Sequence, residues 1–119
     1  MPATIEQYRL HHLQRQARRL EKVERKRRRI LAGIKQAASI AQRFGAKQIV
    51  IFGSVLERNK FHEHSDVDIL VSGMPLQGWL PALLAMEEIP EFADVVVDLK
   101  RAEELPEGLV TLIMQRGLR

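Results

Sequence analysis

Cysteine is absent from the 119 residues, which excludes a disulfide scaffold, a thiol nucleophile and any thiolate-bound metal. Aromatic residues are scarce at 5%, with one tryptophan and one tyrosine, so the basic residues lack the aromatic interleaving of stacking nucleic-acid binders. No apolar run approaches the ~18 residues of a membrane span. The N-terminus is polar and basic, without the apolar stretch of a signal peptide, so the expected setting is the cytoplasm and not a membrane. There is no repeat and no low-complexity segment. What remains is a soluble globular composition, 45% hydrophobic and 29% charged. A chain of this length buries roughly two-thirds of its unfolded surface, enough for one core without staples.

The net charge of +4 hides an asymmetry. Residues 1–45 carry 12 Lys/Arg against 3 Glu, whereas residues 46–119 carry 7 basic against 12 acidic residues. The chain reads as a basic arm, residues 1–44, on an acidic body, residues 45–119. Between Thr4 and Phe44 there is no proline, the one glycine is Gly33, and strong helix formers dominate. Ile5, Tyr8, Leu13, Leu20, Val23, Ile30, Ile34, Ala37, Ala41 and Phe44 trace a stripe at helical spacing, interrupted by Arg27. Thr4 with Gln7 resembles a capping box and Gly45 is a natural stop. Gly33 is a point at which the element divides if it divides at all. So long a helix exceeds what the body can cover; its N-terminal half packs on another chain or stands in solvent.

The body alternates between strand and helix patterns, an α/β (α+β) class with a small mixed sheet flanked by helices. Gln48–Phe52 reads as a buried strand, Val55–Lys60 as a helical turn, and Phe61–Ser65 as a polar loop. Asp66–Val71 is a second strand, Gln77–Glu88 an amphipathic helix, Asp94–Leu99 a third strand and Ala102–Gln115 a final helix with a restart at Pro106.

Three features at the strand ends carry chemistry. Gly53-Ser54 leaves a strand and enters a helical turn, where glycine admits close backbone approach to a phosphate and the hydroxyl can bind its oxygens. Asp66 and Asp68 stand at i and i+2, on one side of a strand. Two such carboxylates repel unless a cation lies between them, and oxygen donors suit Mg2+; the plainer alternative is a turn cap and a solvent-facing acid. Asp98 follows a Val-Val-Val run, where a lone ionised acid is costly. If the three strands are neighbours, Asp98 joins Asp66 and Asp68 in a triad for two metal ions, the arrangement that clamps both oxygens of a phosphoryl displacement. Asp94 competes for that role but lies at the opposite end of the same strand.

The runs Ile51-Phe52-Gly53-Ser54-Val55-Leu56, Ser65-Asp66-Val67-Asp68-Ile69-Leu70-Val71 and Val97-Asp98-Leu99 together resemble the minimal nucleotidyltransferases of the DNA polymerase beta-like superfamily. The likeness covers about residues 35–119. It implies ATP as substrate and Mg2+ at the strand ends. Gly53 and Ser54 would hold the β/γ phosphates, Asp66 and Asp68 would ligate both metals, and Asp98 would complete the catalytic metal site and assist deprotonation of the incoming hydroxyl. The chain departs from the pattern where Glu57 stands in place of an arginine and eleven residues separate Ser54 from Asp66, one more than is usual. A one-residue insertion accounts for this and makes Arg58 the triphosphate clamp.

Small stand-alone members of this group act as antitoxins that adenylylate a tyrosine of a HEPN-type toxin partner, and the resemblance implies that role here. The alternatives are a contact-only antitoxin and a small-molecule nucleotidyltransferase of the aminoglycoside-modifying kind. The basic helix is then a docking or homo-oligomerisation element, with nucleic acid the less favoured partner. His62 and His64 read as an exposed polar loop, His11 and His12 as solvated helix residues, and Trp79 as an anchor in preference to a base-stacking platform.

Overall fold

A computed structural model of the chain describes residues 4–57, 61–62 and 66–118. Helix α1 runs unbroken over Ile5–Arg43. Its start is the expected capping box: the Gln7 N–H donates to the Thr4 hydroxyl at 3.2 Å, and the Thr4 N–H donates to the Gln7 side chain at 2.7 Å. It ends in a Schellman turn, with Ala46 N–H on the Ala41 carbonyl at 2.9 Å and Gly45 N–H on that of Gln42 at 3.1 Å. Gly45 supplies the positive φ, 103°, that this turn demands. Gly33 does not divide the helix. It is buried because Phe92 lies against it, and a Cβ at this position would stand 2.8 Å from the Phe92 ring.

The stripe on α1 has two fates. Ile30, Gly33, Ala37, Ile40 and Ala41 are buried against the body, whereas Ile5, Tyr8, Leu13 and Leu20 are exposed. Three strands form the sheet: β1 (Gln48–Phe52), β2 (Val67–Ser72) and β3 (Val97–Arg101), in the order β1-β2-β3. β1 and β2 run antiparallel, β2 and β3 parallel. One face, with Ile51, Val67, Ile69, Val71, Val97 and Leu99, packs into the main core with α1 and helix α2 (Leu76–Glu87). The other carries Val50 and Leu70, which meet Ile113 of helix α3 (Glu107–Arg116). Beyond α3, Leu118 exchanges both backbone hydrogen bonds with Ile51, at 2.7 and 2.8 Å, and extends the sheet past β1.

Several boundaries differ from the sequence expectation. β2 begins at Val67, so Asp66 precedes the strand. β3 spans Val97–Arg101 and not Asp94–Leu99, because Pro90–Phe92 starts a 3-10 turn that continues the approach to the strand. Asp94 is drawn away to α1, where its carboxylate accepts from the Arg29 guanidinium. That hydrogen bond and the guanidinium charge hold its pKa below the usual carboxylate range. Ala102–Glu104 is a 3-10 turn and α3 starts only after Pro106. The turn after Gly53 is shorter than expected, Ser54–Leu56. Phe61 is buried in the main core and not part of a polar loop. Among the described residues no helix is long and apolar enough to cross a membrane.

Candidate active site

Strand alternation sets the site. Phe52, Asp68, Asp98 and Lys100 lie on the same sheet face as Val50 and Leu70. Parallel pairing puts Asp68 directly beside Asp98, and antiparallel pairing puts Phe52 on the other side of Asp68. Gly53, one residue on, has φ 83°. A Cβ here would run into the Asp68 carboxylate, so glycine is required for both conformation and space. Ser54 opens the 3-10 turn, closed by Leu56 N–H on the Gly53 carbonyl and Glu57 N–H on that of Ser54. Arg27 fixes the far side of this turn, donating to the Leu56 carbonyl at 3.3 Å. The residue that interrupts the α1 stripe is thus a tether from the helix to the Gly-Ser turn.

Burial, and then the Asp98 charge beside it, pushes the Asp68 carboxyl up to about 6; Lys100 opposes this and Asp66 adds a little. Asp98 meanwhile accepts from the Lys100 ammonium at 2.5 Å. Among the described residues no three His, Asp or Glu side chains converge as a metal site: Asp98 is turned to Lys100, and Asp66 stands exposed ahead of the strand. Two adjacent carboxylates, one half-buried and raised by the other, nevertheless have the donor chemistry for a hard divalent cation, which would relieve their repulsion. The residues present fit Mg2+.

A cleft of about 330 Å3 adjoins this pair. Phe52, Gly53 and Lys100 form its sheet side, Leu109, Leu112 and Arg116 of α3 the opposite wall. It joins an apolar surface to the side chains of Lys100, Arg116 and Glu57, the mix of apolar wall and few polar groups found in small-ligand sites. Against this geometry, the nucleotidyltransferase-domain family model matches residues 34–112, more than half of the chain. The chain belongs to the nucleotidyltransferase-domain family. No curated protein matches the chain. The fold agrees with the family: a small mixed sheet with three helices, the first of them long.

Not every residue singled out from the nucleotidyltransferase pattern is brought together. Gly53, Ser54, Asp68 and Asp98 gather at one end of the sheet, with Asp66 at its edge. Arg58 and His64 lie outside the described residues. Trp79 is an anchor: its indole N–H donates to the Leu99 carbonyl at 2.8 Å. Sequence reading missed Lys100, Arg27 and the α3 wall. Lys100 was within reach, since it follows Asp98 at the same i, i+2 spacing that linked Asp66 with Asp68; the other two depend on contacts distant in sequence.

Proposed function

We propose that this nucleotidyltransferase-domain protein transfers AMP from ATP to a hydroxyl in a Mg2+-dependent reaction. We further propose that the acceptor is a tyrosine of a HEPN-type toxin, which the modification inactivates. The observation that supports the transfer is the Asp68–Asp98 pair, with Asp68 against Gly53, beside the cleft that Gly53 and Lys100 line. The acceptor and partner rest on the resemblance to minimal nucleotidyltransferases.

Asp66, Asp68 and Asp98 would hold Mg2+, which supplies neutralising charge for the phosphates. Gly53 allows the triphosphate close to the backbone, and the Ser54 hydroxyl binds a phosphate oxygen. Lys100 and Arg116 place positive charge around the leaving pyrophosphate. The acceptor oxygen attacks the α-phosphorus, the bond from that phosphorus to the bridging oxygen breaks, and pyrophosphate departs. Asp98 takes the acceptor's proton. Positioning and preorganised charge do most of this work.

The test is transfer of label from α-labelled ATP to the toxin partner in the presence of Mg2+. Labelled, inactive toxin with the natural protein and unlabelled, active toxin with Asp68→Asn is the expected outcome. Toxin neutralised equally by both, without label, would identify a contact-only antitoxin instead.

A further inference from the structure

The ten Lys/Arg and three Glu of residues 5–29 are not mixed around the helix. At about 100° per residue, Arg15, Arg18, Arg19, Lys22, Arg25, Lys26 and Arg29 fall within one third of the circumference of α1. From Arg15 to Arg29 every residue in that third is basic. All three acids lie outside it, and Glu24 is paired with Arg27 and Arg28, which also lie outside. Composition alone made nucleic acid the less favoured partner; a helix unbroken over these residues sets the cations in phase.

A face of this kind costs the helix stability. Like charges three and four residues apart repel, and the stripe repeats that spacing from end to end. An ordinary solvated face interleaves acids with its cations; here Asp94 of the body meets the stripe at its last residue, Arg29. Arg15, Arg18, Arg19, Lys22 and Arg25 are exposed. Arg19, Lys22, Arg25, Lys26 and Arg29 line one groove of about 500 Å3 beside Asp94.

The stripe complements a regular polyanion. Seven cations over about 21 Å of helix axis make one per ~3 Å, against one phosphate per ~3.4 Å along each strand of a duplex. Five of the seven are arginine, whose planar fork matches phosphate oxygens. No aromatic residue lies between Arg15 and Arg29, so the stripe offers no platform for unpaired bases and suits a phosphate backbone. An anionic membrane fits less well. Leu10, Leu13, Ala17 and Leu20, the residues that would enter it, share their side of the helix with Glu6, Glu21 and Glu24.

We propose that the basic stripe of α1 binds the phosphate backbone of a nucleic-acid duplex without regard to sequence. This site is separate from the cleft, which lies on the sheet face that α1 does not cover.

The test is fluorescence anisotropy of labelled DNA and RNA duplexes of about 20 base pairs, and of the single strands, between about 50 and 200 mM salt. Two charge-matched variants separate the stripe from net charge. Arg19→Gln/Lys22→Gln removes two cations from the stripe and Arg9→Gln/Arg28→Gln two from outside it. Glutamine keeps helix propensity, so circular dichroism should be unchanged in both. The natural protein should bind duplex with micromolar Kd at about 50 mM salt. The stripe variant should bind at least about tenfold more weakly, with the slope of log affinity against log salt reduced by about 2. The other variant should stay within about threefold of the natural protein. Binding of one duplex type alone supports the proposal and names the nucleic acid. Equal losses in the two variants, single strands bound as tightly as duplex, or no binding at the lowest salt would each overturn it. So would stronger competition from poly-glutamate or from phosphatidylserine vesicles than from unlabelled duplex.

Discussion

Asp68 is the residue on which structure and chemistry meet. Its folded pKa of about 6 lies above the ordinary 3.8, so the fold prefers its protonated form. The stability it contributes is present below about pH 4 and is lost as pH rises through 6. In metal-chelated buffer, Asp68→Asn should therefore raise stability near pH 7.5 by about 1–2 kcal/mol after allowance for solvent screening. The gain should vanish near pH 3.5, and paired thermal melts at the two pH values measure it. Gly53 makes the opposite case. Gly53→Ala must accept both φ 83° and a collision with Asp68, so it should unsettle the turn and abolish ATP binding, read by titration calorimetry. The glycine and the two paired aspartates were legible in sequence because residue type and strand alternation carry the information. Lys100 was within reach by the same alternation, two residues after Asp98, but a lysine there reads equally as an exposed strand end.

At the scale of elements, α1 and the sheet cooperate through one side chain. Arg27 occupies a seam position where an apolar residue packs more simply. It gives the Leu56 carbonyl a hydrogen bond and Glu24 an ion pair at 3.2 Å, while its buried Nε goes without a partner. Arg27→Met keeps the packing volume and removes that orphan group, so the melting temperature should change by only about 2–3 °C. ATP should bind several-fold more weakly as the Ser54–Leu56 turn loses its tether; calorimetry beside a melt separates the two effects. Trp79→Phe should do the reverse, with a cost of about 1 kcal/mol for the lost bond to Leu99 and no change in ATP affinity. Element types were readable from periodicity and caps, and β1 fell at its expected bounds. The start of β3 was not readable, because the 3-10 turn before it consumes residues whose composition also suits the strand. Ala102–Glu104 reads as helix for the same reason, while the restart at Pro106 stands where α3 begins. The pairing of Leu118 with β1 had no signal at all: it depends on Gly117 lying against Val50 and Ile51, where a side chain would not fit.

For the whole molecule, the charge division of the sequence becomes a division of surfaces. The C-terminal half of α1 is part of the core, while its N-terminal half carries cations and leucines away from it. The candidate site lies on the sheet face opposite the one α1 covers, so contact on the arm leaves the cleft open. Mg2+-dependent nucleotide binding at the paired aspartates is the central claim. Titration calorimetry of ATP with Mg2+, on the natural protein and on Asp68→Asn, tests it most directly, since the variant is expected to be the more stable fold. Binding should require Mg2+ and disappear in Asp68→Asn. Equal ATP binding by both proteins, or binding undiminished by chelation, would contradict it.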